Sequence, residues 1–370
     1  MFAFTLAQGK ERAEMTDTIT ISVDAMGGDN APRAVIHGAH LALKEHSNTR
    51  FVFHGREEQI TPLLEEFSDL KRVSTVRHCE TVIAMDEKPS QALRKGRGTS
   101  SMWMAIQAVK DGDADVAVSG GNTGALMAMA TFCLRPMEGI ARPGIAAIWP
   151  TLRSDIVVLD MGATIGADAQ QLVDYAILGS ALARCLFGHD APTVGLLNVG
   201  TEEVKGLESI REAGRILTEA SGSGFVYHGF VEGDDIGKGT VDVVVTEGFV
   251  GNIALKTAEG TARQVGKYLS NALKANLMSR IGALFAMSAL KTLQRRMDPR
   301  TVNGGVFMGL NGIVIKSHGG TDEVGYKSAL NLSYEMAHSR LIDKIGETMK
   351  RFPIKAVTPL PESQTEAKPA

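Results

Sequence analysis

Four places in this chain end an apolar run on glycine and follow it with small polar side chains. They read Asp24-Ala25-Met26-Gly27-Gly28-Asp29-Asn30, Gly120-Gly121-Asn122-Thr123, Asn198-Val199-Gly200-Thr201 and Glu247-Gly248-Phe249-Val250-Gly251-Asn252. Glycine lets the backbone turn tightly and approach a ligand, and Asp, Asn or Thr caps the helix that follows. The first turn of a helix carries unpaired N–H groups and a partial positive charge, so such junctions suit an anion. One junction alone is simply how a strand hands over to a helix. Four in one chain, with charge close by, support an oxyanion cradle at least as well. Asp24, Gly27, Gly28, Asn122, Thr123 and Thr201 are therefore candidate substrate-binding residues. The Asp24 stretch could also be an acid loop for magnesium, but it lacks the Lys-Ser/Thr ending of a phosphate loop.

Two side chains bring more chemistry to such turns. Lys205 follows Gly200 at a helix entrance, where an ammonium would add to the helix dipole in holding phosphate; the plainer reading is a solvated surface lysine. His318 stands in Val314-Ile315-Lys316-Ser317-His318-Gly319-Gly320, either as a ligand contact or as a structural turn histidine. Arg94, Lys95 and Arg97 beside Gly96 and Gly98 form either a basic lid or an exposed loop. Other chemistries lack their marks. There is no G-x-S-x-G elbow for a serine acyl-enzyme, no H-E-x-x-H pair for zinc and no dinucleotide fingerprint after a strand. Cys79, Cys133 and Cys185 form no C-x-x-C pair, which favours a reducing cytoplasm with the thiols in the core. No metal and no cofactor are expected.

The elements that must position these residues follow one pattern. Apolar, β-branched segments (ITISVDAMGG, ADVAVSGG, DIVVLDMG, TVGLLNVG, VDVVVTEG) stop at glycine and alternate with stretches of helical spacing. Continuous apolar runs suit strands covered on both faces, so the expected fold is α/β with a doubly wound, mostly parallel sheet. Several helix N-termini would then face the carboxyl edge of that sheet, where open α/β folds bind ligands. At 370 residues, 44% hydrophobic and 22% charged, the chain can bury a large core, and its net charge of -3 gives no general attraction to nucleic acid.

Residues 1–17 read as a flexible extension, 18–352 as the catalytic unit and 353–370 as a disordered tail rich in Pro, Glu and Ser. Within the unit, Arg263 to Met297 contains no Asp or Glu, and 263–300 reads as a basic amphipathic helical insertion broken near Gly282. Leu269, Leu273, Leu277 and Leu284 lie on its apolar stripe, with Lys274 and Arg280 among its charges. Such helices suit a membrane surface or an acidic partner, and equally a dimer interface. No run of the sequence is apolar for long enough to span a bilayer.

The stretches VDAMGGDNAP, ADVAVSGG, SGGNTGAL, LLNVGTEEVKG, EGFVGNIALKT and VIKSHGG closely resemble the phosphate acyltransferase family of bacterial phospholipid synthesis. The likeness spans about residues 19 to 350. It implies a fold like that of phosphotransacetylases and isocitrate or isopropylmalate dehydrogenases, with protruding amphipathic helices. The implied reaction moves a long-chain acyl group from acyl carrier protein to inorganic phosphate. It further implies a cytoplasmic homodimer, peripherally bound to the membrane, that hands acyl phosphate to a membrane glycerol-phosphate acyltransferase. By motif, it places Lys205 and Asn252 as catalytic residues, beside Asp24, Gly27, Gly28, Asn122, Thr123 and His318 as the substrate site. Three positions depart from the pattern: Thr164 stands where relatives often carry Asn, Glu247 and Val250 replace Asp and Thr, and His-Gly-Gly-Thr-Asp replaces a serine-rich turn. Two enzymatic alternatives are a phosphotransacetylase-like enzyme using coenzyme A thioesters and, less well supported, a dinucleotide-dependent dehydrogenase. From a different class, a non-catalytic membrane-docking scaffold would need the helices but not the glycine junctions.

Overall fold

The computed structural model describes residues 18–351 except 223, 297, 299, 301 and 302, so the expected extension and tail lie outside the described residues. In chain order the elements begin β1 (Ile19–Asp24), α1 (Arg33–Glu45), β2 (Thr49–Gly55), α2 (Glu57–Glu65), α3 (Ser68–Arg72), β3 (Ser74–His78), α4 (Pro89–Gly96), α5 (Ser101–Lys110), β4 (Val116–Ser119) and α6 (Thr123–Leu134). The middle runs β5 (Gly144–Pro150), β6 (Asp155–Leu159), α7 (Ala169–Phe187), β7 (Thr193–Leu197), α8 (Glu208–Ala220), β8 (Val226–Val231), α9 (Gly233–Lys238) and β9 (Val243–Val245). The last part is α10 (Gly248–Lys274), α11 (Leu277–Phe285), α12 (Met287–Arg296), β10 (Gly305–Met308), β11 (Ile313–Lys316), α13 (Glu323–His338) and α14 (Leu341–Arg351).

Among the described residues eleven strands join one sheet in the order β3-β2-β1-β4-β11-β10-β5-β6-β9-β7-β8. Its central strands are apolar on both faces because helices cover both. Val116 and Val118 of β4, Val243 and Val245 of β9, and Ile313 and Ile315 of β11 enter one core layer. The intervening Ala117, Val244 and Val314 enter the other. This is why these strands read as continuous apolar runs rather than as alternating ones.

The sheet has two carboxyl edges where the sequence pattern suggests one. Strands β1, β2, β3, β4 and β11 pair in parallel with their neighbours, as do β6, β9, β7 and β8. Between the blocks, β10 is antiparallel to β11 and β5, and β5 is antiparallel to β6, so the two blocks run in opposite directions. Apolar periodicity carries no strand polarity; the short β5 to β6 hairpin reverses it.

Helix α10 is 27 residues long, about 40 Å at 1.5 Å per residue. Its first turns pack on the sheet, with Gly248 and Gly251 buried and Leu255 against the second core layer. The rest projects. Leu277, Leu284 and Phe285 are 72%, 68% and 88% exposed, Lys274 and Arg280 are exposed, and Leu269 and Leu273 are half-buried. The helical segment starts at Gly248, earlier than the expected 263, and its breaks fall at Ala275–Asn276 and Ala286 rather than at Gly282. Asn276 starts α11 by accepting a hydrogen bond from Ser279 N–H at 2.8 Å, whereas Gly282 sits inside that helix. Among the described residues no helix is long and apolar enough to cross a membrane.

Candidate active site

Three neighbouring parallel strands end level with one another. The last residues of β1, β4 and β11 are Asp24, Ser119 and Lys316, and the register pairs Ser119 with each of the other two. In-register residues of neighbouring strands point to the same face, so a carboxylate, a hydroxyl and an ammonium form a short row. The Ser119 hydroxyl donates to Asp24 Oδ2 at 2.6 Å and accepts from Gly121 N–H at 3.0 Å. Asp24 is fully buried; burial raises its pKa above the usual carboxylate range, against hydrogen bonds from Ser119 and Ser101 and the charge of Lys316.

The loops leaving these strands lock together. Asp29 N–H donates to Gly319 O at 2.8 Å, and the Asn30 amide donates to Thr321 O at 2.9 Å. Gly28 has φ +113°, and a Cβ there would lie 2.9 Å from Gly319 O; one on Gly27 would lie 2.5 Å from Asp24 Oδ2. Both positions therefore require glycine. His318, exposed on the third loop, donates its N–H to Asn303 Oδ1 at 2.9 Å. Its pKa is lowered by burial, then by Lys256, with Lys316 and Arg263 acting the same way and Glu259 opposing.

The second block builds a different set of loops. Asp160, buried after β6, accepts from the N–H groups of Ile145, Gly162, Ala163 and Thr164 and from the Thr164 hydroxyl, all between 2.8 and 3.1 Å. The loop so fixed receives the first turns of α10, where the Asn252 side chain lies against Gly162. Two strands from β6, Asn198 holds the turn after β7 by donating to the carbonyls of Gly200 and Lys205, each at 3.1 Å. Lys205 is exposed there and pairs with Glu202 at 2.9 Å, which holds the ammonium above the ordinary lysine range. Thr123 and Thr201 are exposed at their junctions.

Helix α10 spans the two sets. Asn252, Lys256, Glu259 and Arg263 recur at three- and four-residue intervals and so share one helix face. Lys256, Glu259 and Arg263 are the α10 groups whose charges act on His318, and Lys256 also acts on Lys316. Asn252 thus faces the side on which the glycine cradle lies, one turn nearer the Asp160 loop.

At two of the four junctions a side chain takes part of the helix N-terminus, whereas α1 and α8 carry no side-chain cap. Asn122 caps α6 by accepting from Ala125 N–H at 3.0 Å, and its amide donates to Met85 O and Glu87 O at 2.7 and 2.9 Å. Glu247 caps α10, accepting from Val250 N–H at 2.8 Å and Phe249 N–H at 3.2 Å. Asn and Glu take one donor of α6 and two of α10 because they precede these helices directly. Cationic side chains remain, and Lys316 and Lys256 are two that the sequence reading missed. For Lys316 the available signal was a lysine ending an apolar run just before Ser-His-Gly-Gly. A wide depression of about 840 Å³, lined by His46, Tyr334, His338 and Arg340 among others, lies near the amino end of β2 and includes none of these loops.

A mixed eleven-stranded sheet with glycine loops at strand ends and cationic side chains beside them defines a phosphotransacetylase-like α/β protein. A phosphotransacetylase from Streptococcus pyogenes aligns with TM-score 0.59 at 18% identity, over 87% of this chain and 94% of its own. The EutD phosphotransacetylase from Staphylococcus aureus aligns with TM-score 0.55 at 16% identity, over 88% and 94%. The chain belongs to the phosphate acyltransferase family, whose model, described as "Fatty acid synthesis protein", matches residues 19–344. The Rhizobium etli relative named phosphate acyltransferase is 59% identical over 342 residues, 92% of this chain and 98% of its own. One so named from Chelativorans is 60% identical over 334 residues, 90% and 95%. The chain is accordingly an acyl-transferring enzyme.

Proposed function

We propose that the protein transfers a long-chain acyl group from the thioester of acyl carrier protein to inorganic phosphate. A phosphate oxygen attacks the thioester carbonyl, the C–S bond breaks, and acyl phosphate and the carrier thiol leave. Phosphate is already an anion at neutral pH, and a thiolate of reference pKa near 8.5 departs with little acid help. Positioning and charge stabilisation are then the main tasks. Lys205 holds phosphate, Asn252 donates to the developing oxyanion, and the Asp24, Gly27, Gly28 and His318 loops shape the substrate site together with the Asn122, Thr123 and Thr201 turns. The observation that carries this reading is the shared α10 face, which runs from Asn252 at Gly162 to the charges around His318.

Lys205 is exposed and already paired with Glu202, so its removal should leave folding intact. Lys205→Ala is expected to lower phosphate-dependent cleavage of long-chain acyl carrier protein about tenfold or more, with an unchanged unfolding midpoint. Equal turnover of variant and parent would remove that role. The runner-up is the same reaction on coenzyme A thioesters, which the names of the structural neighbours favour. Parallel assays with both thioesters separate the two.

We further propose that α10 to α12 dock the protein on acidic carrier protein and on the anionic inner face of the membrane, with a homodimer covering part of the apolar stripe. There the product would pass to a membrane glycerol-phosphate acyltransferase, toward phosphatidic acid. Leu277, Leu284 and Phe285 stand exposed near Lys274 and Arg280, the combination an anionic interface binds. Lys274→Glu with Arg280→Glu should weaken binding to phosphatidylglycerol vesicles in sedimentation at low salt by about thirtyfold or more, at roughly 1 kcal/mol per basic residue near the surface. Unchanged sedimentation would eliminate the membrane contact.

A further inference from the structure

We infer that Lys316 is a second cation, in addition to Lys205, that binds the substrate phosphate oxyanion. This rests on the acyl transfer proposed above and adds a cation at the glycine cradle to the one at Lys205.

Lys316 closes β11 beside Ser119, and its ammonium donates to Gly120 O at 3.4 Å and to Ser317 O. Two carbonyls thus fix the head group at the mouth of the cradle. Among the described residues it takes part in no ion pair. Asp24 lies two strands away, roughly 9.5 Å at the backbone from the ordinary strand spacing, with Ser119 between them. A half-buried ammonium without a counter-ion in contact is partly desolvated, and an anion bound beside it offsets that cost. Lys256, the α10 cation that acts on Lys316, is instead paired with Glu259 at 3.0 Å.

The walls suit a small oxyanion. Gly120 O accepts from the ammonium, a Cβ on Gly319 would lie 3.4 Å from that same oxygen, and one on Gly120 would lie 2.7 Å from Gly27 O, so the loops close without side chains. The charged groups around Lys316 are Asp24 on β1, Asp29 on the loop after it, Lys256 on α10 and His318 on its own loop, with buried Tyr326 of α13 beside Gly120. Burial lowers the Lys316 pKa to about 8, Lys256 acts the same way, and Asp24 and Asp29 oppose them. The free ammonium therefore loses its proton as pH rises through about 8, and affinity for an oxyanion should fall with it. Arginine at this position would stay charged.

The oxyanion could come from inorganic phosphate or from the phosphodiester of a carrier's prosthetic group, and the test separates them. Full-length parent, Lys316→Met and Lys316→Arg are titrated calorimetrically with inorganic phosphate alone at pH 7 and 9.5, and KM is measured for phosphate and for thioester. Lys316→Met should weaken phosphate binding at pH 7 by tenfold or more while KM for the thioester stays within twofold. The parent should lose at least tenfold in phosphate affinity between the two pH values, and Lys316→Arg less than threefold. The inference is overturned by parent-like phosphate binding in Lys316→Met, by a loss confined to the thioester KM, or by an alkaline fall persisting in Lys316→Arg. Should Lys316→Met fail to fold, the Lys316→Arg profile decides. Should the parent bind phosphate but cleave no acyl thioester, the acyl-transfer reading fails while the binding arm still judges Lys316.

Discussion

Asn252→Ala should lower kcat for phosphate-dependent thioester cleavage by about 10²- to 10³-fold, with KM for the thioester nearly unchanged, the usual cost of removing one oxyanion donor. Asn252 is exposed on the first turns of α10, with its side chain against Gly162, so the truncation opens no cavity. A transition-state role predicts loss in kcat alone. Asn252→Asp, of equal size, should lose as much, because it replaces an amide donor with a negative charge facing a developing one. Thermal unfolding should remain within about 1 °C, since exposed truncations away from special features usually change stability by under about 0.5 kcal/mol. A kcat loss below tenfold in Asn252→Ala would dismiss the role.

The glycine junctions were legible because their chemistry is local. A turn after a buried strand calls for glycine, a helix start calls for a cap, and the four junctions lie where the strands β1, β4, β7 and β9 end. What the chain order hides is which junctions meet. Gly27, Gly121 and Gly319 pack together through the parallel trio β1, β4 and β11, whose members are far apart in sequence. The Lys205 and Asn252 junctions belong to the oppositely directed block, and helix α10 connects the two. Lys316 was passed over because a lysine ending an apolar run reads as a solvated side chain; only its register beside Ser119 turns it inward. Two departures from the family pattern have local uses. The Thr164 hydroxyl donates to Asp160 at 2.8 Å, and Glu247 caps α10 while also accepting from Gly166 N–H at 3.1 Å.

Gly251→Ala tests whether the contact between α10 and the Asp160 loop sets the site. A Cβ at Gly251 would lie 1.9 Å from Asp160 O and 3.0 Å from Thr246 Cγ2, both on fully packed structure. The obstacle is backbone, so no rotamer change relieves it. The carbonyl cannot retreat easily either: Asp160 N–H donates to Thr246 O at 3.0 Å, and its buried carboxylate gathers the loop after it. Gly248, one turn earlier, is equally confined, with a Cβ only 2.4 Å from Thr164 O. The helix must therefore lift, carrying Asn252 from Gly162 and straining the Glu247 cap. We expect about 3 kcal/mol less stability in urea denaturation, at the upper end for overpacking. A displacement near 1 Å would also cost about 10²-fold in kcat. Gly266→Ala is the control. It lies on the same helix, a Cβ there meets nothing within 4 Å, and the substitution should stabilise by roughly 0.5–1 kcal/mol without touching turnover. Parent-like stability and turnover in Gly251→Ala would mean that α10 does not depend on this contact, and Asn252 would lose the support that fixes it toward the cradle.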